Sequence, residues 1–522
     1  MSNSVERARQ QGVGDLLRRT AARTPDKVAL IAGDRQQSFA EYNASVNRMC
    51  AALSARGLAK GDRLALLAHN SWEYAVVAVA AAKLGLVLVP INFMLHAEDV
   101  AFILDHADAH HLVVEAALAE VGHRALEIAG TDEGLRGWIG DDPPAGWTRV
   151  SEWCEHGPTD EPDVLVRDDD PLQLMYTSGT ESRPKGAMLS SRSLIAQYVS
   201  CIVDGGMAHD DVELHALPMY HCAQLHCFFL PDVYVGATSI VLPGPEPGAV
   251  LAAIEQHRVT KFFAPPTVWI SLLRSAAFDT TDLSSLRKGY YGASAMPVEV
   301  LREIQTRLPE LRLWNFYGQT ELAPVATILP PEEQVARAGS AGRPVLNVET
   351  VLLDDDDQPV PAGTVGEIVH RSPQLVLGYW RDEDRTAEAF RTGWFHSGDL
   401  GVFTADGYLS VVDRKKDVIK SGGENVASRE VEEAIYLLDG VAEVAVFGIP
   451  HPRWVEAVVA AVVPRDGSGL TADAVQEHCR QRLTGFKRPK FVTLASSLPK
   501  NPSGKLLKRE MRESFARLAQ ES

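Results

Sequence analysis

The chain has 522 residues, with 51 Lys plus Arg against 69 Asp plus Glu and a formal net charge of −18. Hydrophobic residues make up 45% and charged residues 23%, a globular balance that excludes disorder and collagen-like order at a length that fits roughly two to four domains. An acidic excess of this size is repelled by phosphate backbones, so nucleic acid is excluded as a partner, although a local basic loop can still bind a small anion. Six scattered cysteines without a CxxC pair point to a reducing compartment and no disulfide framework.

The first twenty residues are charged and lack an apolar core, so no secretory signal is expected, and a cytoplasmic location follows. Arg63–His69 reads as a strand before a helix. The apolar stretch Tyr74–Ile91 holds Lys83, Gly85 and Pro90, whereas a membrane span needs about 20 apolar residues with few charges. It reads as a buried helix to Leu84 followed by a short strand. His111–Glu115 is a further strand, and His106, His110 and His111 read as exposed loop or helix-end residues. Residues 131–170 are rich in Gly, Pro, Asp and Trp and read as irregular connection. Strands at 238–243 and 259–265, each leading into a helix, continue the alternation that builds parallel sheets covered by helices.

From about residue 348 the pattern changes to shorter strands with turns, and the acidic run Asp354–Asp357 reads as a solvated hairpin turn. The segment Asp413-Arg-Lys-Lys-Asp417, before the Gly-rich turn Ser421-Gly-Gly-Glu-Asn425, marks a second boundary. After it come a helix from Ser428, a strand through 441–450, another helix and a basic tail. The expectation is an α/β protein: a large multi-layer domain over 1–413 with parallel-rich sheets packed by helices, and a small mobile α+β domain over 414–522.

One loop carries chemistry on its own terms. Tyr176-Thr-Ser-Gly-Thr-Glu-Ser-Arg-Pro-Lys-Gly-Ala187 follows an apolar strand and reads as preceding a helix. Small hydroxyl residues around a glycine turn backbone N–H groups and side-chain donors onto one concave surface, and a lysine adds compensating charge for phosphate. It is not a Walker A loop, because Lys185 precedes Gly186. A pair of His-Cys steps, His221-Cys222 and His226-Cys227, has a zinc-like look. Its surroundings are apolar and no second ligand pair follows at finger spacing, so pocket lining is the preferred reading.

The loop resembles the phosphate loop of the adenylate-forming superfamily of acyl-CoA synthetases, aryl-CoA ligases, luciferases and peptide-synthetase adenylation domains, with Glu181-Ser182 where Thr-Gly is usual. Five further segments resemble that family in its order: Pro218–His221, Gly292–Ser294, Tyr317–Glu321, Trp394–Asp399 with the hinge and turn from Asp413 to Asn425, and Pro499–Lys505.

The resemblance implies a set of roles. Thr177, Ser178, Gly179, Thr180 and Lys185 bind ATP phosphates; Gly292, Ala293 and Ser294 contact adenine; Tyr317, Gly318, Gln319 and Thr320 border the AMP phosphate. Glu321 holds Mg²⁺, and Asp399 with Arg414 binds the ribose. Lys505 is the catalytic lysine of the first half reaction, and Lys420 serves thioester formation beside a thiol tunnel at Ser421, Gly422 and Gly423. The hinge falls near Lys416. The acyl pocket is expected from His221, Phe228, Phe229, Trp269, Tyr291, Ala323 and Pro324.

No acid lies between His221 and Asp232 to pair an amino-acid ammonium, and no Arg stands beside His221, Gly292 or Tyr317 for a dicarboxylate. These residues imply an ATP- and Mg²⁺-dependent ligase that activates an apolar-tailed fatty acid to acyl-AMP and transfers it to CoA. A phosphopantetheinyl carrier protein is the alternative acceptor. An aryl-CoA ligase, a luciferase-like oxygenase and a non-catalytic nucleotide binder rank below.

Overall fold

The computed structural model describes residues 3–131, 133–177, 184–294, 296–500 and 506–516. The chain folds as an α/β protein in which two large, mostly parallel sheets lie in the N-terminal four-fifths. A nine-stranded sheet runs in the order Arg343–Pro344, Val325–Leu329, Arg312–Gly318, Lys288–Gly292, Lys261–Phe263, Val212–His215, Thr238–Val241, Val28–Ala32 and Arg35–Ser38. A seven-stranded sheet runs Thr148–Arg149, Arg136–Ile139, His111–Glu115, Arg63–Leu67, Val87–Pro90, Pro171–Thr177 and Lys185–Ser190. An antiparallel four-stranded sheet (Glu349–Leu353, Gly366–Arg371, Phe395–Phe403, Leu409–Arg414) follows, and a five-stranded sheet forms the C-terminal part.

Local sequence explains why these elements start and stop. The helix Trp72–Leu84 opens on Ser71, whose hydroxyl accepts from the Tyr74 N–H, and closes on Gly85 in a left-handed conformation (φ 65°). It is buried throughout from Tyr74 to Leu84 because sheets and helices cover every side of it. Lys83 is tolerated there because its ammonium meets Asn43 and Asn47 at 2.7 Å and Glu161 at 2.6 Å. No helix is long and apolar enough to cross a membrane among the described residues.

The structure corrects the expected organisation in four places. Residues 131–170 are not wholly irregular: Arg136–Ile139 pairs in parallel with His111–Glu115, and Thr148–Arg149 extends the edge before a helix at Val150–Glu155. Gly137 lets the Trp153 ring lie close against that strand, since a Cβ there would stand 3.0 Å from the ring, and this packing is invisible in composition. The phosphate loop does not lead into a helix. It joins Pro171–Thr177 to the antiparallel strand Lys185–Ser190, and the helix Ser191–Asp204 begins only afterwards, at a Ser190 capping box. In the C-terminal part, Val455–Pro464 forms the central strand, paired along its length with Val441–His451; its Ala/Val run has no polar alternation because both faces are covered. His106 is not exposed: its Nδ1 lies 2.8 Å from the Tyr176 hydroxyl. Elsewhere the acidic run does form a turn, with the Gln358 amide donating to the Asp354 carboxylate.

A cluster of charge sits in the core of the nine-stranded sheet. Lys261, Glu213, Asp232 and His215 are all fully buried. The Lys261 ammonium lies 2.6 Å from Glu213 and also contacts Asp232, whose other oxygen is 3.4 Å from His215 Nε2. Glu213, His215 and Asp232 offer atoms close enough together for a metal, but the lysine already supplies the cation between the two carboxylates. Burial drives the Glu213 carboxyl well above its usual range and neighbouring Asp232 adds to this, while Asp232 itself is held at about 2 because Lys261, His215 and Glu213 together outweigh its own burial. Removing the ammonium strands buried negative charge. Lys261→Met is therefore expected to destabilise the fold by about 3–5 kcal/mol, seen as a lower midpoint in denaturant unfolding; an unchanged midpoint would show that the carboxylates are satisfied without it.

Candidate active site

The site is assembled where strand ends from different sheets converge. Thr177 ends one strand, and in register opposite it Lys185 begins the next. Lys185 Nζ lies 2.8 Å from Glu321 Oε1 and 2.6 Å from the Tyr379 hydroxyl, and that hydroxyl donates to the same Glu321 oxygen at 2.8 Å. Burial raises the affinity of Glu321 for a proton. The Lys185 charge and hydrogen bonds from Lys185, Tyr379 and the backbone outweigh this, so Glu321 stays a carboxylate below its usual range. Burial and the facing Glu321 push the Tyr379 phenol far up, so it remains a donor.

The strand Arg312–Gly318 carries Tyr317, whose hydroxyl donates to Asp399 Oδ2 at 2.7 Å. Asp399 and Arg414 are direct cross-strand neighbours, and Arg414 Nε faces Asp399 Oδ1 at 3.2 Å. Gly318 is required by close approach, because a Cβ there would fall 1.9 Å from the Pro324 carbonyl oxygen. Gln319 precedes a short turn over Thr320–Leu322, and Thr320 Oγ1 lies 3.2 Å from Cys222 Sγ. Gly292 ends its own strand, while Ala293, in a left-handed conformation (φ 64°), and Ser294 are exposed at the rim.

These positions suit a nucleotide. Thr177 Oγ1 and Gln319 Nε2 are buried without a hydrogen-bond partner among the described residues, and Asp399 Oδ1 has the Arg414 ion pair but no hydrogen bond; such atoms carry a cost that a bound polar ligand removes. Ser178, Gly179, Thr180, Glu181, Ser182 and Lys505 lie outside the described residues.

The expected acyl pocket divides. A small pocket is lined by Leu217, Pro218, His221, Ala223, Gln224, Phe263, Pro265 and Ala293. His221 and Gln224 are its polar lining residues, and the rest of the wall is apolar. Trp269 does not line it; the ring packs against Phe262 in the core and its N–H donates to the Tyr290 carbonyl. Phe228 is stacked between Phe263 and Phe316, and Phe229 abuts His215. Tyr291, buried with its hydroxyl on Gln334, and the Ala323-Pro324 turn lie outside this lining as well. These six positions stand near motifs in sequence, and sequence alone does not show which way a side chain there faces.

The His-Cys steps do not converge on a metal position among the described residues. His226 is buried between the Tyr198 hydroxyl at Nδ1 and Gln173 Oε1 at Nε2, both at 2.7 Å. A neutral ring protonated at Nε2 satisfies both.

In the C-terminal part, Lys420 is exposed on a hairpin whose tip is Gly422-Gly423, both in the left-handed region, and its backbone N–H donates to Glu456. The tip is braced by Trp454, whose carbonyl accepts from the Gly422 N–H. Arg453 and Lys490 each lie 5.4 Å from the Trp454 ring and His451 packs on it at 4.3 Å. Trp454, beside the hairpin tip, and Tyr379, bonded to Lys185 and Glu321, are not singled out in sequence; neither stands in a segment whose composition marks it. This part contacts the large one where the Ser428 N–H donates to Asp413 Oδ2 at 2.6 Å and Arg429 reaches the Val411 and Gly339 carbonyls.

A lysine paired with a buried carboxylate, together with a second carboxylate held between Tyr317 and Arg414, is an arrangement that suits a nucleotide. The chain belongs to the AMP-binding enzyme family of the adenylate-forming superfamily: residues 17–380 match the AMP-binding enzyme domain and residues 430–505 its C-terminal domain. It is 38% identical over 511 residues to a feruloyl-CoA synthase of Amycolatopsis sp, covering 97% of this chain and 100% of that one. It is 34% identical to an indoleacetate–CoA ligase of Aromatoleum aromaticum (96% and 97% covered) and 34% identical to a long-chain-fatty-acid–CoA ligase of Mycobacterium tuberculosis (97% and 99% covered). Among solved structures it resembles an anthranilate CoA ligase in complex with anthranoyl-AMP, with TM-score 0.90 at 26% identity and 98% of each chain covered.

Burial pushes both His226 and His370 down to about 3, so each folds neutral while the unfolded chain protonates near its ordinary value. Their stabilising effect is present above about pH 6.5 and declines as the pH falls. Between pH 7 and 5 each should cost roughly 2 kcal/mol, and His226→Gln should flatten the loss of stability measured by unfolding at stepped pH. An unflattened curve would mean that the ring is protonated in the fold.

Proposed function

We propose that this chain is an AMP-forming acid–CoA ligase whose acid is apolar and aryl-bearing. The observation that carries the reading is the lining of the pocket at His221. It is apolar apart from His221 and Gln224, which suits an acid with an apolar body, and the relatives supply the aryl choice. The feruloyl-CoA synthase and the indoleacetate–CoA ligase are named for aryl-bearing acids, which supports the same choice. The fatty acid expected from sequence becomes the second reading, supported by the long-chain relative.

In the first half reaction the carboxylate oxygen of the acid attacks the α-phosphorus of ATP and pyrophosphate leaves. Negative charge moves toward the leaving group, so cations must track it. Lys185 is placed to pass from Glu321 to phosphate oxygens, and Lys505 is assigned the second mobile charge. Asp399 accepts from ribose hydroxyls while Tyr317 fixes its second oxygen. Glu321 is the hard oxygen donor for Mg²⁺, which would neutralise phosphate charge when bound.

In the second half reaction the thiol of CoA attacks the acyl carbonyl carbon and AMP departs with the electron pair of the broken C–O bond. The indole of Trp454, flanked by Arg453 and Lys490 at the Gly422-Gly423 tip, offers a stacking face and phosphate-compatible charge for the nucleotide end of CoA. Rotation about the hinge near Lys416 would exchange Lys505 for this face.

The deciding experiment incubates the protein with ATP, Mg²⁺ and a panel of aryl and short- to long-chain acids without thiol, and reads acyl-AMP by mass spectrometry. Adenylates of arylpropenoic or arylacetic acids are expected. Fatty adenylates alone would transfer the assignment to the second reading, and no adenylate from any acid would overturn the ligase.

Lys505→Ala should slow adenylate formation by several orders of magnitude and largely spare thioester formation from preformed acyl-AMP. Equal loss of both steps would contradict the alternation of domains. Trp454→Ala should raise KM for CoA about tenfold, in line with the ~1–3 kcal/mol of a stacked base, and leave the rate of adenylate formation within about twofold; unchanged KM would remove it from the acceptor site.

A further inference from the structure

Tyr379 has no role in the reading above, yet it touches both charges at the centre of the site. It lies on the segment Val376–Trp380, which is sewn to two separate pieces of the site by backbone bonds. The Val376 N–H donates to the Glu321 carbonyl, the Leu377 N–H to the Met188 carbonyl, the Met188 N–H to the Gly378 carbonyl, and the Trp380 N–H to the Gly186 carbonyl. The Tyr379 N–H is held by Thr386 Oγ1 at 2.9 Å. The ring is therefore fixed from both sides, with Lys185 Nζ 4.1 Å from its centroid.

The hydroxyl uses both its functions within the site. It accepts from Lys185 at 2.6 Å and donates to Glu321 Oε1 at 2.8 Å, the same oxygen that Lys185 meets. Both neighbours thus crowd one oxygen of the carboxylate and set its rotation, which turns Oε2 in a single direction. When ATP draws Lys185 onto its phosphates, the tyrosine bond is what remains to hold that rotation. A carboxylate whose one oxygen is fixed by a neutral donor keeps the other presented to a cation, and partners of this kind typically change metal affinity by about 10–100-fold.

We propose that Tyr379 is a positioning residue that orients Glu321 toward the divalent cation accompanying ATP and gives Lys185 its resting place when no phosphate is bound. This rests on the adenylate-forming reading of Glu321 and goes beyond it by assigning the group that makes the carboxylate competent.

The test is a binding measurement on the full chain without turnover. Free Mn²⁺ is titrated by electron paramagnetic resonance in the presence of α,β-methylene-ATP, and the affinity for the analogue alone is measured in EDTA. Tyr379→Phe, which keeps the ring, should raise the Mn²⁺ Kd about tenfold and change the metal-free analogue affinity less than twofold. Thr386→Val, which removes the acceptor for the Tyr379 N–H, should weaken Mn²⁺ in the same direction. In a Glu321→Gln background, Tyr379→Phe should add nothing, because the tyrosine acts through that carboxylate. An unchanged Mn²⁺ Kd in Tyr379→Phe overturns the proposal, as does equal weakening with and without metal, which marks a merely structural role. Wild-type protein that holds no Mn²⁺ with the analogue would overturn the adenylate-forming reading itself.

Discussion

The ion pair between Lys185 and Glu321 concentrates the problem this site has to solve. In the proposed reaction a phosphate-binding lysine and a metal-binding carboxylate must both be ready before any nucleotide arrives, yet a buried charge without a partner is costly. Here each serves as the counter-ion of the other at 2.8 Å, with Tyr379 bonded to both. Within the proposed reaction, Mg²⁺ can take the place of the lysine at the carboxylate while the phosphates take the place of the carboxylate at the lysine, so each group trades one counter-ion for another. The polyphosphate brings more negative charge than one Mg²⁺ cancels, so a further cation is needed when the site is filled.

The buried cluster at Lys261 has the same ingredients and a different fate. Its lysine, two carboxylates and histidine are fully enclosed, and the charges are neutralised within the protein. No ligand exchange can release them, so the cluster braces the middle of the sheet. Burial separates the two arrangements. Lys185 is partly exposed at a strand end beside a loop, where a partner can be traded, whereas Lys261 is not.

Much of the architecture is legible in the sequence because parallel strands buried on both faces read as short Val/Ile/Leu runs between helical segments, as at Arg63–Leu67 and His111–Glu115. What was hidden follows from the same physics. Val455–Pro464 is an Ala/Val run that fits a helix or a covered strand equally, and only its pairing with Val441–His451 decides between them. The site was legible where chemistry demands a rare pattern, as in Thr177 and Lys185 or Tyr317 through Glu321. It was illegible where a common residue acquires its role by tertiary approach. Tyr379 reaches Lys185 from 194 positions away, and Trp269 points into the core although it neighbours the pocket in sequence. Facing direction is a property of the packed fold and leaves no trace in a motif.

The link from nucleotide to domain position lies in one β-hairpin. Asp399, the proposed ribose acceptor, pairs across the sheet with Arg414, and the next pair in that register is Leu400 with Asp413. Asp413 in turn takes the Ser428 N–H at the start of the first helix of the C-terminal part, while Lys415 binds back through its N–H to the Gly398 carbonyl and through its ammonium to Asp355. Two consecutive residues of one strand therefore face different masters: Arg414 the nucleotide carboxylate, Asp413 the C-terminal helix. A ligand that drew Arg414 toward a ribose or phosphate would strain the Asp413 contact through a backbone too short to absorb the shift. Within the proposed reaction, the strand that carries Arg414 to the ribose side therefore also carries the contact to the C-terminal helix, and Arg414 stands two residues before the hinge proposed near Lys416.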